Sequence, residues 1–74
     1  MRILADRITS DPERCGGRPC IRDLRIRVVD VLEMLAAGMT AEDILREHPS
    51  LEAPDISAAL SYASKQVDHA VLSA

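Results

Sequence analysis

Between Pro12 and Val28 the chain gathers both of its cysteines, two of its three glycines and two of its four prolines. Five arginines share the same stretch. Glycine and proline punctuate a backbone rather than extend a helix, so a chain carrying this segment opens with turns and short extended pieces. Helical patterning begins only at Val28. Charge divides at the same place: residues 1–28 hold seven arginines against four acids, and residues 29–74 hold two basic residues against eight acids.

Seventy-four residues make one domain, near the lower size limit for a self-sufficient core. Within it, residues 1–28 read as a basic, β-leaning arm and residues 29–74 as a trihelical body. The chain has no Phe, no Trp and a single Tyr. Its core is therefore built from Leu, Ile, Val, Met and Ala, and a fully buried Leu, Ile or Val contributes only about 1.5–3 kcal/mol. Small scaffolds of this kind usually need a staple, a metal or another chain, which leads us to expect a homodimer or higher oligomer, a protein partner, or both. Met1-Arg2-Ile3-Leu4-Ala5-Asp6 meets charge before any apolar run develops, unlike a signal peptide, and no stretch approaches the length of a membrane span. The expectation is a cytoplasmic protein with reduced thiols and no membrane partner. A formal net charge of −3 argues against indiscriminate nucleic-acid binding, although a local basic patch can still dock on phosphates.

Residues 1–11 predict one short strand around Arg7-Ile8-Thr9. Ser10-Asp11-Pro12 and Gly16-Gly17-Arg18-Pro19 are turn signals. Between Pro19 and Val28 we expect a β-hairpin turning at Asp23-Leu24, with Arg22 facing Arg25, Ile21 facing Ile26 and Cys20 facing Arg27. Two-residue alternation then places Cys20, Arg22, Arg25 and Arg27 on one face. Asp-Leu is a poor choice for a two-residue hairpin turn, which wants Gly or Asn at positive φ.

Val28, Val31, Leu32 and Leu35 form one apolar stripe at helical spacing, and Gly38 is placed to stop that helix. Thr40 begins a second helix as its N-cap, with Asp43 as capping-box partner and Met39 and Ile44 as a hydrophobic staple. Pro49 ends it. A third helix follows Ser50-Leu51-Glu52-Ala53, with Pro54 and Asp55 in its first turn and Ile56, Ala59, Leu60, Ala63 and Val67 as its inward stripe. Three short helices with a connection of about five residues between the last two suggest a helix-turn-helix-type domain whose final helix enters a major groove.

The run Asp11-Pro12-Glu13, Cys15-Gly16-Gly17-Arg18-Pro19-Cys20-Ile21-Arg22, Arg25-Ile26, Val28 and Asp30 to Thr40 closely resembles the prokaryotic family called domain of unknown function 433. Glu42-Asp43-Ile44-Leu45, Pro49, Leu51 and Asp55-Ile56 to Ala63 continue the likeness, which spans roughly residues 7–67. The resemblance implies a mainly α fold: a homeodomain-like three-helix (helix-turn-helix) bundle with a small N-terminal β-hairpin arm. It also implies the antitoxin of a two-gene toxin–antitoxin module whose usual partner resembles a PIN-type nuclease. The family normally has Gly-Thr where this chain has Asp23-Leu24, which puts the register of the arginine face in question.

Cys15 and Cys20 lack the second ligand pair that a zinc site needs, and His48 and His69 have no matching spacing. Structural thiols beside a Gly-Gly turn are preferred over a metal site or a disulfide. Like charges directly opposite on a two-stranded ribbon repel, so Arg18, Arg22, Arg25 and Arg27 are candidates for contacting an acidic partner or phosphates. The bland reading is a solvated face, or pairing with Glu33, Glu42 and Glu47 of the same or a neighbouring chain. Ser57, Ser61, Ser64 and Lys65 are candidate DNA contacts on the third helix, although Gln66 is the lone residue there suited to bidentate base readout. His48 suits a helix end. No nucleophile–base pair, carboxylate cluster or phosphate loop stands out, so no catalysis and no cofactor or metal are expected.

The expected function is the one that the resemblance implies: an antitoxin that binds and neutralises a PIN-like nuclease toxin and, with it, represses the shared operon. Such a nuclease site is acidic and metal-dependent, so an inserted Arg or Lys from the basic arm would neutralise it. Val67, Val71 and Leu72 are candidates for docking on the toxin. The alternatives are a stand-alone helix-turn-helix transcriptional regulator and a structural oligomerisation domain.

Overall fold

Three short strands open the chain: β1 (Arg2–Ala5), β2 (Ile8–Ser10) and β3 (Cys20–Ile21), antiparallel in the order β1-β2-β3. The computed structural model describes residues 1–72, and side-chain surroundings through Asp68. One strand was expected around Ile8. A tight turn at Asp6-Arg7, with Arg7 at φ 65°, brings Ala5 opposite Ile8 and adds β1. On the other side Ile8 pairs with Ile21 and Thr9 with Cys20.

The ribbon expected between Pro19 and Val28 is present in its expected register. The Ile21 N–H donates to the Ile26 carbonyl at 2.8 Å, and Cys20 lies opposite Arg27. Its turn is a correction. The Leu24 N–H donates to the Ile21 carbonyl at 2.9 Å, which centres the tight turn on Arg22 and Asp23 rather than on Asp23-Leu24. Arg22 takes the left-handed φ of 48°, a conformation that glycine adopts at least cost. It therefore leaves the ribbon face, and the arginine alternation breaks there.

The helices follow local signals closely. The first, α1 (Val28–Ala36), ends where Gly38 turns to φ 95°. The Gly38 N–H donates to the Leu35 carbonyl at 3.0 Å and the Met39 N–H to the Met34 carbonyl at 3.1 Å, the paired bonds of a Schellman stop. In α2 (Ala41–Glu47) the Thr40 hydroxyl accepts the Asp43 N–H at 3.1 Å, and the Asp43 carboxylate accepts the Thr40 N–H at 3.0 Å. His48 is the residue that closes α2. The third helix, α3 (Ala53–Leu72), is 20 residues long, a rod of about 30 Å.

Ile8, Ile21, Val28, Val31, Ile44, Leu51, Ile56 and Ala59 form the core. Two of these come from the sheet, so residues 1–28 supply one wall of the core as well as a basic surface. The fold is three helices closed over a small three-stranded antiparallel sheet. The inward stripe expected on α3 is corrected in part: Ile56 and Ala59 are buried, but Leu60 is 48% exposed and Val67 61%. The sheet, α1 and α2 cover only the side of α3 that carries Asp55, Ile56 and Ala59, and Leu60 lies round the helix from it. No helix among the described residues is long and apolar enough to cross a membrane.

The cysteines are a third correction. A single 3-10 turn at Cys15–Gly17, with φ of 55°, 63° and 81° at its three residues, doubles the chain back on β3. Cys15 and Cys20 are joined there as a disulfide with Cα atoms 6.8 Å apart, where separate thiols were expected. The intervening Gly-Gly supplies the return that spacing alone does not reveal.

Candidate functional site

The basic segment is divided between structural work and open surface. Asp55 lies in the first turn of α3 with its side chain fully buried. Its carboxylate accepts Arg7 Nη1 at 2.8 Å, Arg22 Nη2 at 2.8 Å and the Glu52 N–H at 2.8 Å. Arg22 Nη2 also donates to the Ser50 carbonyl at 2.8 Å, and Arg7 Nη1 to Glu52 Oε1 at 2.8 Å. Burial pushes the Asp55 carboxyl up, but hydrogen bonds from Arg22, Arg7 and the Glu52 N–H outweigh it and hold the group at about 2. This cluster locks the β1–β2 turn, the Arg22 turn and the α2–α3 connection onto the start of α3.

Of the four arginines proposed for partner contact, two are engaged internally. Arg22 serves Asp55. Arg27 precedes α1 and donates through Nη2 to Asp30 Oδ1 at 2.7 Å, while the Arg27 N–H donates to Asp30 Oδ2 at 3.0 Å. Hydrogen bonding to Arg27 lowers the Asp30 pKa and raises that of Arg27. Their acids are thus Asp55 and Asp30 rather than Glu33, Glu42 or Glu47. Arg18 and Arg25 are exposed and make no ion pair among the described residues. They also lie in different hollows: Arg25 beside Asp30, Glu33 and His48, Arg18 in a groove between α1 and α3.

That groove is an open, mainly apolar surface. Val28, Val29 and Leu32 of α1 form one wall, and Tyr62, Ala63 and Val67 of α3 the other. Pro19 closes one end, with Arg18 and Gln66 as its polar edge. The far side of the α3 wall, with Leu60, Ala63, Ser64, Val67 and Asp68, borders a second, shallower hollow. Val67, expected to dock on a toxin, is thus an exposed groove residue. Val71 and Leu72 lie outside the residues whose side chains are described, as does His69.

Ser57, Ser61, Ser64 and Lys65 are all exposed on α3. Ser57, Ser61 and Lys65 share a cleft with Asp6, Ala53, Pro54 and Tyr62, and Ser64 belongs to the hollow beside Leu60. Asp6 places a carboxylate in the cleft that three of these residues line. No group of three or more His, Cys, Asp or Glu among the described residues is placed to hold a metal. The Asp55 cluster and the disulfide were both missed from sequence. Neither Asp55 at a helix start nor Arg7 in a turn carries a local mark of its distant partner.

Three helices over a three-stranded sheet, with an apolar groove edged by Arg18, which makes no ion pair among the described residues, define a small α+β domain. The chain belongs to the family described as "Protein of unknown function (DUF433)", whose pattern matches residues 8–63. It is 43% identical over 56 residues to the uncharacterized protein y4eO of Sinorhizobium fredii, covering 76% of this chain and 25% of that protein. The chain therefore spans about a quarter of that relative's length. It is also similar to the crystal structure of a DUF433 member protein from Anabaena variabilis, with a TM-score of 0.76 and 32% identity over 93% of this chain and 71% of that one.

Proposed function

We propose that this chain is the antitoxin of a type II toxin–antitoxin module, a cytoplasmic protein that neutralises a PIN-like nuclease by direct binding. The observation that carries the reading is the α1–α3 groove: an open apolar surface with Arg18, a cation without an acid partner among the described residues, on its edge. Apolar anchors exclude water and supply affinity. An arginine beside them matches an acidic active site. Arg25, which also makes no ion pair among the described residues, stands apart from this groove, in the hollow beside Asp30 and Glu33. The experiment is co-expression with the product of the adjacent gene. Co-purification, with loss of the nuclease activity in the complex, is the expected result; two proteins that neither bind nor affect each other's activity would end the reading.

A second reading rests on α2 and α3. We read the three helices as a homeodomain-like helix-turn-helix, with Ser57, Ser61, Ser64 and Lys65 as the exposed face of the last helix. Asp6 beside that face and the acidic helical half disfavour tight binding of a duplex by one chain. Operator binding is therefore assigned to a homodimer or to the toxin complex. A mobility-shift assay on the chain's own promoter, with and without the partner, separates an autoregulating antitoxin from a stand-alone regulator. A chain that self-associates and shifts nothing in either arm is a structural oligomerisation domain.

A further inference from the structure

We infer that Cys15 and Cys20 form a thiol–disulfide exchange site, opened by low-molecular-weight thiols and closed by their disulfides. This goes beyond the antitoxin reading and does not rest on it. The two sulfurs are in bonding contact on Cα atoms 6.8 Å apart, within the roughly 4.4–6.8 Å that disulfides bridge. The reduced state is provided for as well. Cys20 Sγ lies 3.4 Å from the Arg18 carbonyl oxygen, an acceptor that a thiol uses and a disulfide does not. The loop is also held independently of the bond. Ser10 Oγ donates to the Gly17 carbonyl at 2.6 Å, and the Arg14 and Gly17 N–H groups donate to the Asp11 carbonyl at 2.9 and 3.1 Å. Opening the bridge therefore leaves the two sulfurs as neighbours, at the high effective concentration that makes closure reversible.

The two sulfurs are not equivalent. Cys20 sits in β3 and is 2% exposed, whereas Cys15 is half-buried at the surface turn. An incoming thiolate RS⁻ reaches Cys15 Sγ. The R–S–Sγ bond forms as the Sγ–Sγ bond breaks, and Cys20 leaves as a thiolate that takes a proton from solvent. A second RS⁻ attacks the R sulfur of the mixed disulfide and releases RSSR and the Cys15 thiolate, which is also protonated by solvent. Two RSH are oxidised to RSSR as one protein disulfide is reduced to two thiols, and closure runs the same steps backward.

The test incubates the reduced chain with oxidised glutathione, alkylates the remaining thiols and maps the products by mass spectrometry. The expected product is the internal Cys15–Cys20 disulfide, reversed by reduced glutathione. Cys20→Ser is expected to stop at one glutathione on Cys15, and Cys15→Ser to remain unmodified while folded. The serine hydroxyl can serve the Arg18 carbonyl, and circular dichroism checks that each variant keeps its fold. Partial alkylation of the reduced wild-type chain reports the same asymmetry without any substitution, with the first alkyl group expected on Cys15. Wild-type thiols that stay free in excess oxidised glutathione, or a first alkyl group on Cys20, would overturn the proposal.

Discussion

Arg22 Nη2 donates to Asp55 Oδ2 at 2.8 Å across 33 residues of sequence. The carboxylate is fully buried, while the Arg22 side chain keeps 35% of its surface exposed. The pair is therefore asymmetric: solvent still screens the cation, but the anion depends on its protein partners. Removing the cation leaves a buried charge; removing the anion leaves two arginines that can turn toward water.

From this asymmetry we predict that Arg22→Ala destabilises the chain more than Asp55→Asn does. Loss of one partner of a buried pair costs about 3–5 kcal/mol. Arg7 still holds Asp55 in the Arg22 variant, so about 2–3 kcal/mol is expected there, with charge-assisted bonds worth roughly 1.5–3 kcal/mol each. Urea denaturation of the two variants measures both. Equal losses would show that burial of the anion is not what governs the cluster.

Stability should also fall with acid in a defined window. The Asp55 carboxyl is held at about 2 in the folded chain against an ordinary 3.8. A depressed folded pKa means that its contribution is complete above the unfolded value and disappears as pH drops through the folded one. The loss attributable to Asp55 therefore lies between about pH 4 and pH 2. Asp43, held at about 2 by the Thr40 N–H and by Arg46, titrates in the same range. Thermal melts across this window should show a shallower pH slope for Asp55→Asn than for wild type, with the residual slope carried by Asp43 and Asp30.

Arg18 and Arg22 stand four residues apart and should behave oppositely. Arg18→Glu is expected to leave stability within about 0.5 kcal/mol of wild type, as exposed substitutions usually do, and to weaken capture of the toxin partner. Arg22→Ala should lose stability as described. Val67→Asp belongs with Arg18: it alters an exposed groove wall and should reduce partner capture without unfolding. Pull-down yield read beside the denaturation midpoint distinguishes the two classes. An Arg18→Glu chain that captures the toxin as well as wild type does would remove this arginine from the docking surface.

The corner between α1 and α2 gives a conformational test. Gly38 has φ 95° with nothing within 4 Å of where a Cβ would stand. Gly38→Ala therefore costs left-handed strain without a clash, about 1–2 kcal/mol. Thr40→Ala removes a cap bond and should cost about 1 kcal/mol. The two sites are close enough to couple, so the double variant is expected to depart from the sum. A Gly38→Ala chain as stable as wild type would contradict the strain argument.

That corner is also where the sequence is most legible. Gly38 and Thr40 with Asp43 are codes read within a few residues, and each is satisfied by bonds inside the same turn, while Met39 packs against the core cluster that contains Ile44. The register of Ile21 against Ile26 was legible for a similar reason, since alternation fixes it locally. Legibility fails where the partner is remote. Asp55 carries no sign that Arg7 and Arg22 will close on it from the sheet, and Arg22 could not be assigned to the turn while Asp23-Leu24 stood in the family's Gly-Thr position. Leu60 and Val67 fit the helical stripe, yet their exposure depends on how much of α3 the other elements reach. Periodicity does not encode that. The same limit applies to the site: Arg18 and Arg22 look alike in sequence, and only the location of Asp55 tells the free cation from the engaged one.

Because Ile8 and Ile21 sit in the core and Arg7 and Arg22 close on Asp55, the chain cannot be exchanged piecewise between relatives. A chimera that swaps residues 1–28 imports three strands, with two cations that must find their acid in the recipient's third helix. Without an aspartate at position 55 the grafted sheet would lose its ionic tie to the third helix, even where every residue of the exchanged segment was compatible with its own neighbours. Recombination in such a domain has to move both ends together, and residue 55 travels with the first strands although it lies at the start of the last helix.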